Sequence, residues 1–288
     1  MLIDTFPFNR DFRPLKIRLQ EVGDLVDLIV ISESRLTHSG IPKPLHLSNN
    51  LDTLDRFKKK VEIVSPTEED LKVSNPRIRE MVQRQAISKF IKSLKLSKDD
   101  FIFHSDCDEI PRHSVLEHIV CNKLLGSYLF ELRNFANALN LEDGTWKRGR
   151  LISYKFYKDI QQMRKDVYLE MVFESRKLPF GIFRTPDFWT RRKRLFSLPD
   201  FESRPKMTLV KEAGWHFNNL LSRDEVLKKI EHSSHSEWNT QEVRKVAEER
   251  FLEDKDIYNG REFKRVELDS SYPKMVLENL EDWKEFIR

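Results

Sequence analysis

The segment Phe101-Ile-Phe-His-Ser-Asp-Cys-Asp-Glu-Ile-Pro111 decides how the rest of the chain is read. Asp99-Asp100 is a turn signal at the end of a long helical pattern. The apolar run 101–103 has the length and aromatic content of a buried strand. It leads into Asp106, Asp108 and Glu109, and Pro111 is expected to stop it. These clustered carboxylates repel one another, so a buried strand end that carries them needs a positive partner. A hard divalent cation with oxygen ligands is one such partner. On this motif alone, a solvated acidic turn is the alternative.

Upstream, residues 2–6 read as a strand ended by Pro7, and Leu15, Ile17, Leu19 and Val22 as a short helix with Gly23 as its cap. The run 25–31 is a strong buried-strand signal and ends in Ser32-Glu33-Ser34. Open α/β sheets bind ligands beyond the carboxyl ends of their strands. Glu33 is therefore a candidate ligand contact, with a structural turn as the alternative. Residues 35–50 read as loop, 51–57 as a short helix and 61–64 as a strand. An amphipathic helix follows over 77–94, with Ile78, Met81, Val82, Ala86, Ile87, Phe90, Ile91 and Leu94 at helical spacing. Arg84 on this helix belongs to a solvated face or reaches a phosphate.

Downstream, Ser114 is expected to cap a helix through Asn122. A strand follows over 128–132, then a loop over 138–149 carrying Trp146, and a strand over 151–157. Residues 160–173 fit helix ambiguously, and prolines mark 179–199 as irregular. The basic run Arg191-Arg-Lys-Arg194 lies there, either a solvated face or a wall for a phosphorylated ligand. A strand over 207–213 is broken by Gly214-Trp-His-Phe217, where His216 is either a hydrogen-bonded core residue or a metal ligand. Ser222 caps a helix over 223–232 with Asp224 in its first turn. Ser233-Ser-His-Ser-Glu-Trp-Asn239 suits a sugar or a peptide. Helical patterns follow over 241–252 and 274–287. Strands alternating with helices, with no compositional break, give a single α/β unit.

The composition narrows the function. The 288 residues carry 51 basic and 47 acidic side chains, a net charge of +4 that is too small and too dispersed for a nucleic-acid module. It leaves room for a local basic site for an anionic substrate. Cys107 and Cys121 match no zinc spacing, and a disulfide at Cys107 would disturb the acidic turn, so a reducing compartment is expected. No stretch reaches the roughly 18 apolar residues of a membrane span. Met1-Leu-Ile-Asp4 lacks the basic start of a signal peptide. The expected location is cytoplasmic.

Several separated stretches resemble one family in its own order. They are 15–19 (Leu-Lys-Ile-Arg-Leu), 26–34 (Val-Asp-Leu-Ile-Val-Ile-Ser-Glu-Ser), 37–45 (Thr-His-Ser-Gly-Ile-Pro-Lys-Pro-Leu), 83–87 (Gln-Arg-Gln-Ala-Ile) and 105–111 (Ser-Asp-Cys-Asp-Glu-Ile-Pro). Trp146 with Gly149, 213–217 (Ala-Gly-Trp-His-Phe) and Tyr272-Pro273 complete the set. The chain resembles glycosyltransferase family 17, the β-1,4-mannosyl-glycoprotein N-acetylglucosaminyltransferase III family. The resemblance implies a GT-A, Rossmann-like fold: one domain over 1–288 with a mixed, mostly parallel sheet flanked by helices. Residues 1–125 would form the nucleotide-sugar half and 126–288 the acceptor half. It implies UDP-N-acetylglucosamine as donor, a glycan or glycoprotein as acceptor, Mn²⁺ or Mg²⁺ as cofactor, and inversion to a β linkage.

Carried over residue by residue, Asp106, Asp108 and His216 would hold the metal. Glu33, Asp106, Glu109, Arg84, Arg192 and Arg194 would face the donor, and Trp146, Trp215 and His235 the acceptor. Inversion needs a base for the acceptor hydroxyl, for which Asp224, Glu237 and Asp187 are the candidates. Unlike the animal members, this chain is expected to carry no N-terminal anchor, a removed one being the alternative, and its acceptor need not be theirs. Two other classes fit less well. In the usual Asp-x-Asp phosphohydrolase the motif follows the first strand, whereas here three strand candidates precede it. A glycan-binding module or inactive homologue would have no need of the intact Asp106, Asp108 and His216.

Overall fold

The computed structural model describes residues 1–165, 206–232 and 238–288. Four strands form the first half of its sheet: β1 (Leu2–Phe8), β2 (Leu28–Glu33), β3 (Val61–Val64) and β4 (Phe101–His104). They lie in the order β3-β2-β1-β4, all parallel. The second half is mixed. It holds β5 (Glu109–Pro111), β6 (Ser127–Ala136), β7 (Leu141–Ser153), β8 (Met207–Val210), β9 (Gly214–Asn218) and β10 (Lys264–Arg265). The sheet continues from β4 through β7, β6 and β9 to β5, with β8 also on β6 and β10 on β7. It is a mixed α/β, Rossmann-like architecture, and the sheet runs unbroken across residue 125.

Helices α1 (Phe12–Val22), α2 (Glu68–Leu71), α3 (Pro76–Ser93) and α4 (His113–Cys121) accompany the first half. Strand alternation sorts the core into two faces. Leu2, Phe6 and Phe8 of β1 pack with Leu15, Leu19 and Val22 of α1 and with Leu116 and Ile119 of α4. Ile3, Val30 and Ile102 point the other way, onto Ile87 and Ile91 of α3. Asn75 caps α3 by accepting from Arg77 N at 2.9 Å, with Pro76 at its first position. In the C-terminal part, α5 (Arg223–His232) and α6 (Gln241–Leu252) share their own apolar cluster. The short α7 (Lys274–Glu278) and α8 (Leu280–Trp283) seat Val276 and Trp283 against Trp215 and Ile110.

Several boundaries differ from the sequence reading. Pro7 does not end β1, because β4 pairs only as far as Thr5 and the missing N–H of Pro7 leaves no bond unmade there. Pro111 does not stop the chain either. It lies in β5, at the end of the strand order, where an edge strand tolerates proline. The expected loop over 138–149 is largely strand, since 141–153 zips onto β6 in a long hairpin. Gly144, at φ +75°, sits where the register shifts between Arg133 and Phe135, so it serves a bulge rather than a loop. Strand 151–157 stops at Ser153 and gives way to a 3-10 turn.

Gly214 opens a strand where a break was expected. Its φ is +150°, and a Cβ there would lie 2.1 Å from the Ile110 carbonyl oxygen, so β5 and β9 approach each other at a position open only to glycine. Helix α4 begins at His113 with no side-chain cap; Glu21 instead accepts its first N–H at 2.9 Å. The tail expected as one helix over 274–287 is α7, α8 and a 3-10 turn. Within the ambiguous stretch 160–173, residues 160–165 are helical, and the remainder lies outside the described residues, as does 179–199.

Candidate active site

The acidic turn leaves the carboxyl end of β4 and is held from beneath. Asp4 stands on the α1 face of β1, among Leu2, Phe6 and Phe8, and both it and Arg18 are fully buried. Arg18 grips Asp4 with two parallel hydrogen bonds, Nε to Oδ2 at 2.8 Å and Nη2 to Oδ1 at 2.5 Å. Its third nitrogen, Nη1, donates to Ser105 Oγ, Asp106 O and Glu109 O, each at 2.9 Å. The guanidinium also lies over the Phe6 ring at 4.3 Å. Glu109 closes the turn from above by accepting from Asp106 N at 2.9 Å and from Trp146 Nε1 at 2.6 Å. With both ends of the turn fixed, Asp106 and Asp108 point into different surroundings.

Asp106 meets cations. Arg84 of α3 reaches its Oδ1 at 2.5 Å, and Arg164 stands 3.5 Å from the same oxygen. Glu80, one turn back on α3, pairs with Arg84 as well. Burial pushes the Asp106 carboxyl up, but Arg84 and then Arg164 outweigh it and hold it well below the usual carboxylate range. Asp108 faces the second half of the sheet, where its Oδ1 is 3.7 Å from His216 Nε2. His216 lies in β9, opposite Glu109 of β5 and Asn134 of β6. Its Nδ1 is 2.8 Å from Asn134 Oδ1, so Nδ1 carries the hydrogen and Nε2 is the nitrogen presented to Asp108. Burial lowers the His216 pKa, and the Asp108 carboxylate more than reverses this, raising it. Trp146 of β7 stacks on the His216 ring at 4.8 Å.

The structure therefore brings Asp108 and His216 together, from stretches more than a hundred residues apart, and turns Asp106 toward arginine. Among the described residues no three His, Cys, Asp or Glu side chains gather as a ready-made metal cage. Asp108 Oδ1 and His216 Nε2 are nevertheless a two-atom donor set with its histidine tautomer already fixed. A hard cation bound by so few protein ligands completes its shell with water and substrate phosphate.

The other expected site residues divide clearly. Glu33 is fully buried and accepts from Leu47 N, Ser48 N and Ser48 Oγ at 2.7–3.0 Å; it staples the 35–50 loop, the structural alternative for this residue. Arg84 is buried with its donors on Asp106 and Glu80, so it positions the turn. Trp215 points away from His216, is 1% exposed and packs in the core under Arg112, out of reach of any acceptor. Glu109 and Trp146 are at the site. Asp187, Arg192, Arg194, His235 and Glu237 lie outside the described residues, and of Asp224 only its place in α5 is described.

Sequence reading missed Arg18, Asn134, Arg164 and Lys229, the last a residue of α5 whose positive charge acts on Asp108. For Arg18 a signal was present: one acid in an apolar strand, Asp4, and one base on the apolar side of α1. Asn134 has none short of the β6–β9 register.

Comparison with known proteins bears on residues 1–168, which match the family model described as Glycosyltransferase family 17. The chain belongs to glycosyltransferase family 17. The family match contains the acidic turn, Arg18, Arg84, Trp146 and Arg164; Asn134 falls within it too, whereas His216 lies beyond it. Among curated relatives, the β-1,4-mannosyl-glycoprotein 4-β-N-acetylglucosaminyltransferase of Rattus norvegicus is 29% identical over 118 residues, 38% of this chain and 21% of that protein. The Homo sapiens protein of the same name is 29% identical over 118 residues, 22% of its length. The match thus spans about a fifth of those relatives. A solved structure of 4-diphosphocytidyl-2C-methyl-D-erythritol synthase from Anaerococcus prevotii superposes with a TM-score of 0.36 at 13% identity, over 73% of this family 17 chain and 86% of that one.

Proposed function

We propose that this chain is an inverting glycosyltransferase that moves N-acetylglucosamine from UDP-N-acetylglucosamine to a glycan hydroxyl, with Mn²⁺ or Mg²⁺ held between Asp108 and His216. The observation that carries the reading is the Asp108–His216 pair, with Asn134 on the far nitrogen of the imidazole. A histidine fixed in that tautomer beside a carboxylate is the arrangement a divalent cation recruits. Family membership and the relatives' printed names support the transferase class and the sugar.

In the reaction the acceptor oxygen forms its bond to C1 of the sugar as the C1–O bond to the diphosphate breaks. The electron pair leaves with UDP, and the acceptor proton passes to a carboxylate base, for which Asp224, Glu237 and Asp187 remain the candidates. When bound, the cation offsets the charge growing on the diphosphate. The chain's own groups orient. Arg18 holds the turn, Arg84 and Arg164 hold Asp106, and Trp146 walls one side of His216.

The test is incubation with a panel of nucleotide sugars and MnCl₂, measuring UDP release. Release from UDP-N-acetylglucosamine that disappears in Asp108→Ala is the expected result. UDP binding that survives Asp108→Ala without turnover would favour a binding protein, and no metal-dependent binding of any nucleotide would sink the proposal.

A further inference from the structure

Of the polar and aromatic segment 233–239, the structure describes Trp238 and Asn239. They lie just before Thr240, whose hydroxyl caps α6 by accepting from Val243 N at 3.2 Å. Trp146 is half-buried and Trp215 and Trp283 are core residues, whereas Trp238 is 43% exposed. Its ring lies 5.7 Å from that of Tyr258, tilted by 47°. A lone exposed apolar side chain is ordinary. This one is backed by a second ring on a fixed support.

The support is a turn pinned from both sides. Arg250 of α6 donates to Tyr258 O at 2.6 Å and to Ile257 O at 3.4 Å. Asp256 accepts from Tyr258 N at 2.8 Å and from Asn259 N at 3.0 Å. Tyr258 also packs on the cluster that Val226 and Ile230 of α5 share with Ala247 and Phe251 of α6. An aromatic surface held this way binds a ligand at little cost in conformational entropy. The pair also adjoins the candidate active site. Ile230 follows Lys229 on α5, and Lys229 lines one small cavity with Asp108. The Lys229 charge acts on the Tyr258 phenol and on the Asp108 carboxyl alike.

The chemistry of this surface selects its occupant. A pyranose ring has an apolar face of C–H groups and a rim of hydroxyls. The indole face suits the first, and the exposed Asn239 amide and the Tyr258 phenol suit the second. We infer that Trp238 and Tyr258 form a carbohydrate platform on which one pyranose ring of the glycan acceptor stacks. The inference rests on the transferase reading above and supplies an acceptor contact where Trp215, buried in the core, cannot serve.

The experiment measures capture of the full chain, with UDP and MnCl₂ present, by immobilised oligosaccharides of mannose, glucose and N-acetylglucosamine. UDP release from UDP-N-acetylglucosamine by the wild type, without acceptor, is measured alongside. The wild type is expected to bind at least one of these glycans, and Trp238→Ala to weaken that binding about tenfold or more with the melting temperature unchanged. Trp238→Phe, which keeps a ring, should recover most of the loss. Capture that Trp238→Ala leaves unaltered overturns the platform, as does a Phe variant no better than the Ala one. A wild type that releases UDP but captures no glycan also overturns it and leaves the transferase reading standing. Trp238-dependent capture by a wild type that neither binds nor releases UDP supports the platform and removes the transferase reading.

Discussion

Replacing Arg18 by Met isolates what the buried support of the acidic turn contributes. The two groups of the Arg18–Asp4 pair are 0% and 1% exposed, so water cannot replace the lost guanidinium without opening the core. Removing one partner of such a pair costs about 3–5 kcal/mol, because the remaining charge stays buried and uncompensated. The turn adds little to that figure. Asp106 O also accepts from Glu109 N at 3.0 Å and from Ser105 Oγ at 3.1 Å, and Glu109 O from Ser105 Oγ at 2.9 Å, so neither carbonyl is orphaned. At roughly 2–4 °C per kcal/mol for a chain of this size, the melting temperature should fall by on the order of 10 °C.

The double variant Asp4→Leu with Arg18→Met separates stability from geometry. A buried ion pair exchanged for apolar side chains is often neutral or stabilising. Stability should therefore return to within about 1.5 kcal/mol of wild type, while Mn²⁺-dependent UDP binding stays impaired because the turn has lost its shared donor. Urea unfolding followed by tryptophan fluorescence, with UDP titration alongside, reads both. A single variant that costs under about 1 kcal/mol, or a double variant no more stable than the single one, would refute the reasoning.

Three further outcomes follow from the site. Burial pushes the Glu80 carboxyl up, but Arg84 beside it wins and lowers it from 4.5 to about 2. A depressed folded value contributes stability that is present above the unfolded value and lost as pH falls from 4.5 toward about 2. Glu80→Gln should thus cost on the order of 1–3 kcal/mol at pH 7 and far less near pH 2, and equal costs in urea unfolding at the two pH values would contradict this. Trp146→Phe keeps an aromatic ring against His216 but removes the N–H that meets Glu109 at 2.6 Å; a loss of about 1–3 kcal/mol in thermal unfolding is expected. Asn134→Ala frees Nδ1 of His216 and should weaken Mn²⁺ about 10–100-fold by calorimetry, with little change in melting temperature.

Strand β4 and the turn after it were legible because apolar run, acidic cluster and proline follow one another within a few residues. Helix α3 was legible for a similar reason, its stripe of Ile87 and Ile91 being local. The hairpin of β6 and β7 was not. Gly144 and Gly149 look like loop punctuation, but Gly144 serves a bulge, and a Cβ on Gly149 would meet the Phe103 ring at 3.1 Å. Glu33 and Trp215 carried the right chemistry in the wrong direction. Strand alternation and the return of the 35–50 loop decide where they point, and neither is local. Asn134 and Lys229 reach the site only through pairing of β9 with β6 and the placement of α5, separations that no residue spacing encodes.

The two aspartates of one motif stand in unlike electrostatic settings, and that decides where a cation would go. Beside Asp106, two guanidinium groups are fixed within 3.5 Å of one carboxylate oxygen, and Arg84 is further tied to Glu80. A divalent ion about 4–5 Å from each would meet a repulsion on the order of 7 kcal/mol apiece at an effective dielectric constant of about 20. At Asp108 the positive neighbours can yield. His216 becomes a neutral ligand by losing its proton, and Lys229, on a flexible stem, is tied to no described partner. On the proposed metal-dependent reading a cation would therefore go to Asp108, while Asp106 keeps the turn and α3 together. Asp106→Asn should then lower stability by leaving Arg84 and Arg164 under-compensated while changing Mn²⁺ affinity little. Asp108→Asn should do the reverse. Calorimetric Mn²⁺ titration and urea unfolding of both variants test the division, and equal loss of Mn²⁺ binding in the two would overturn it.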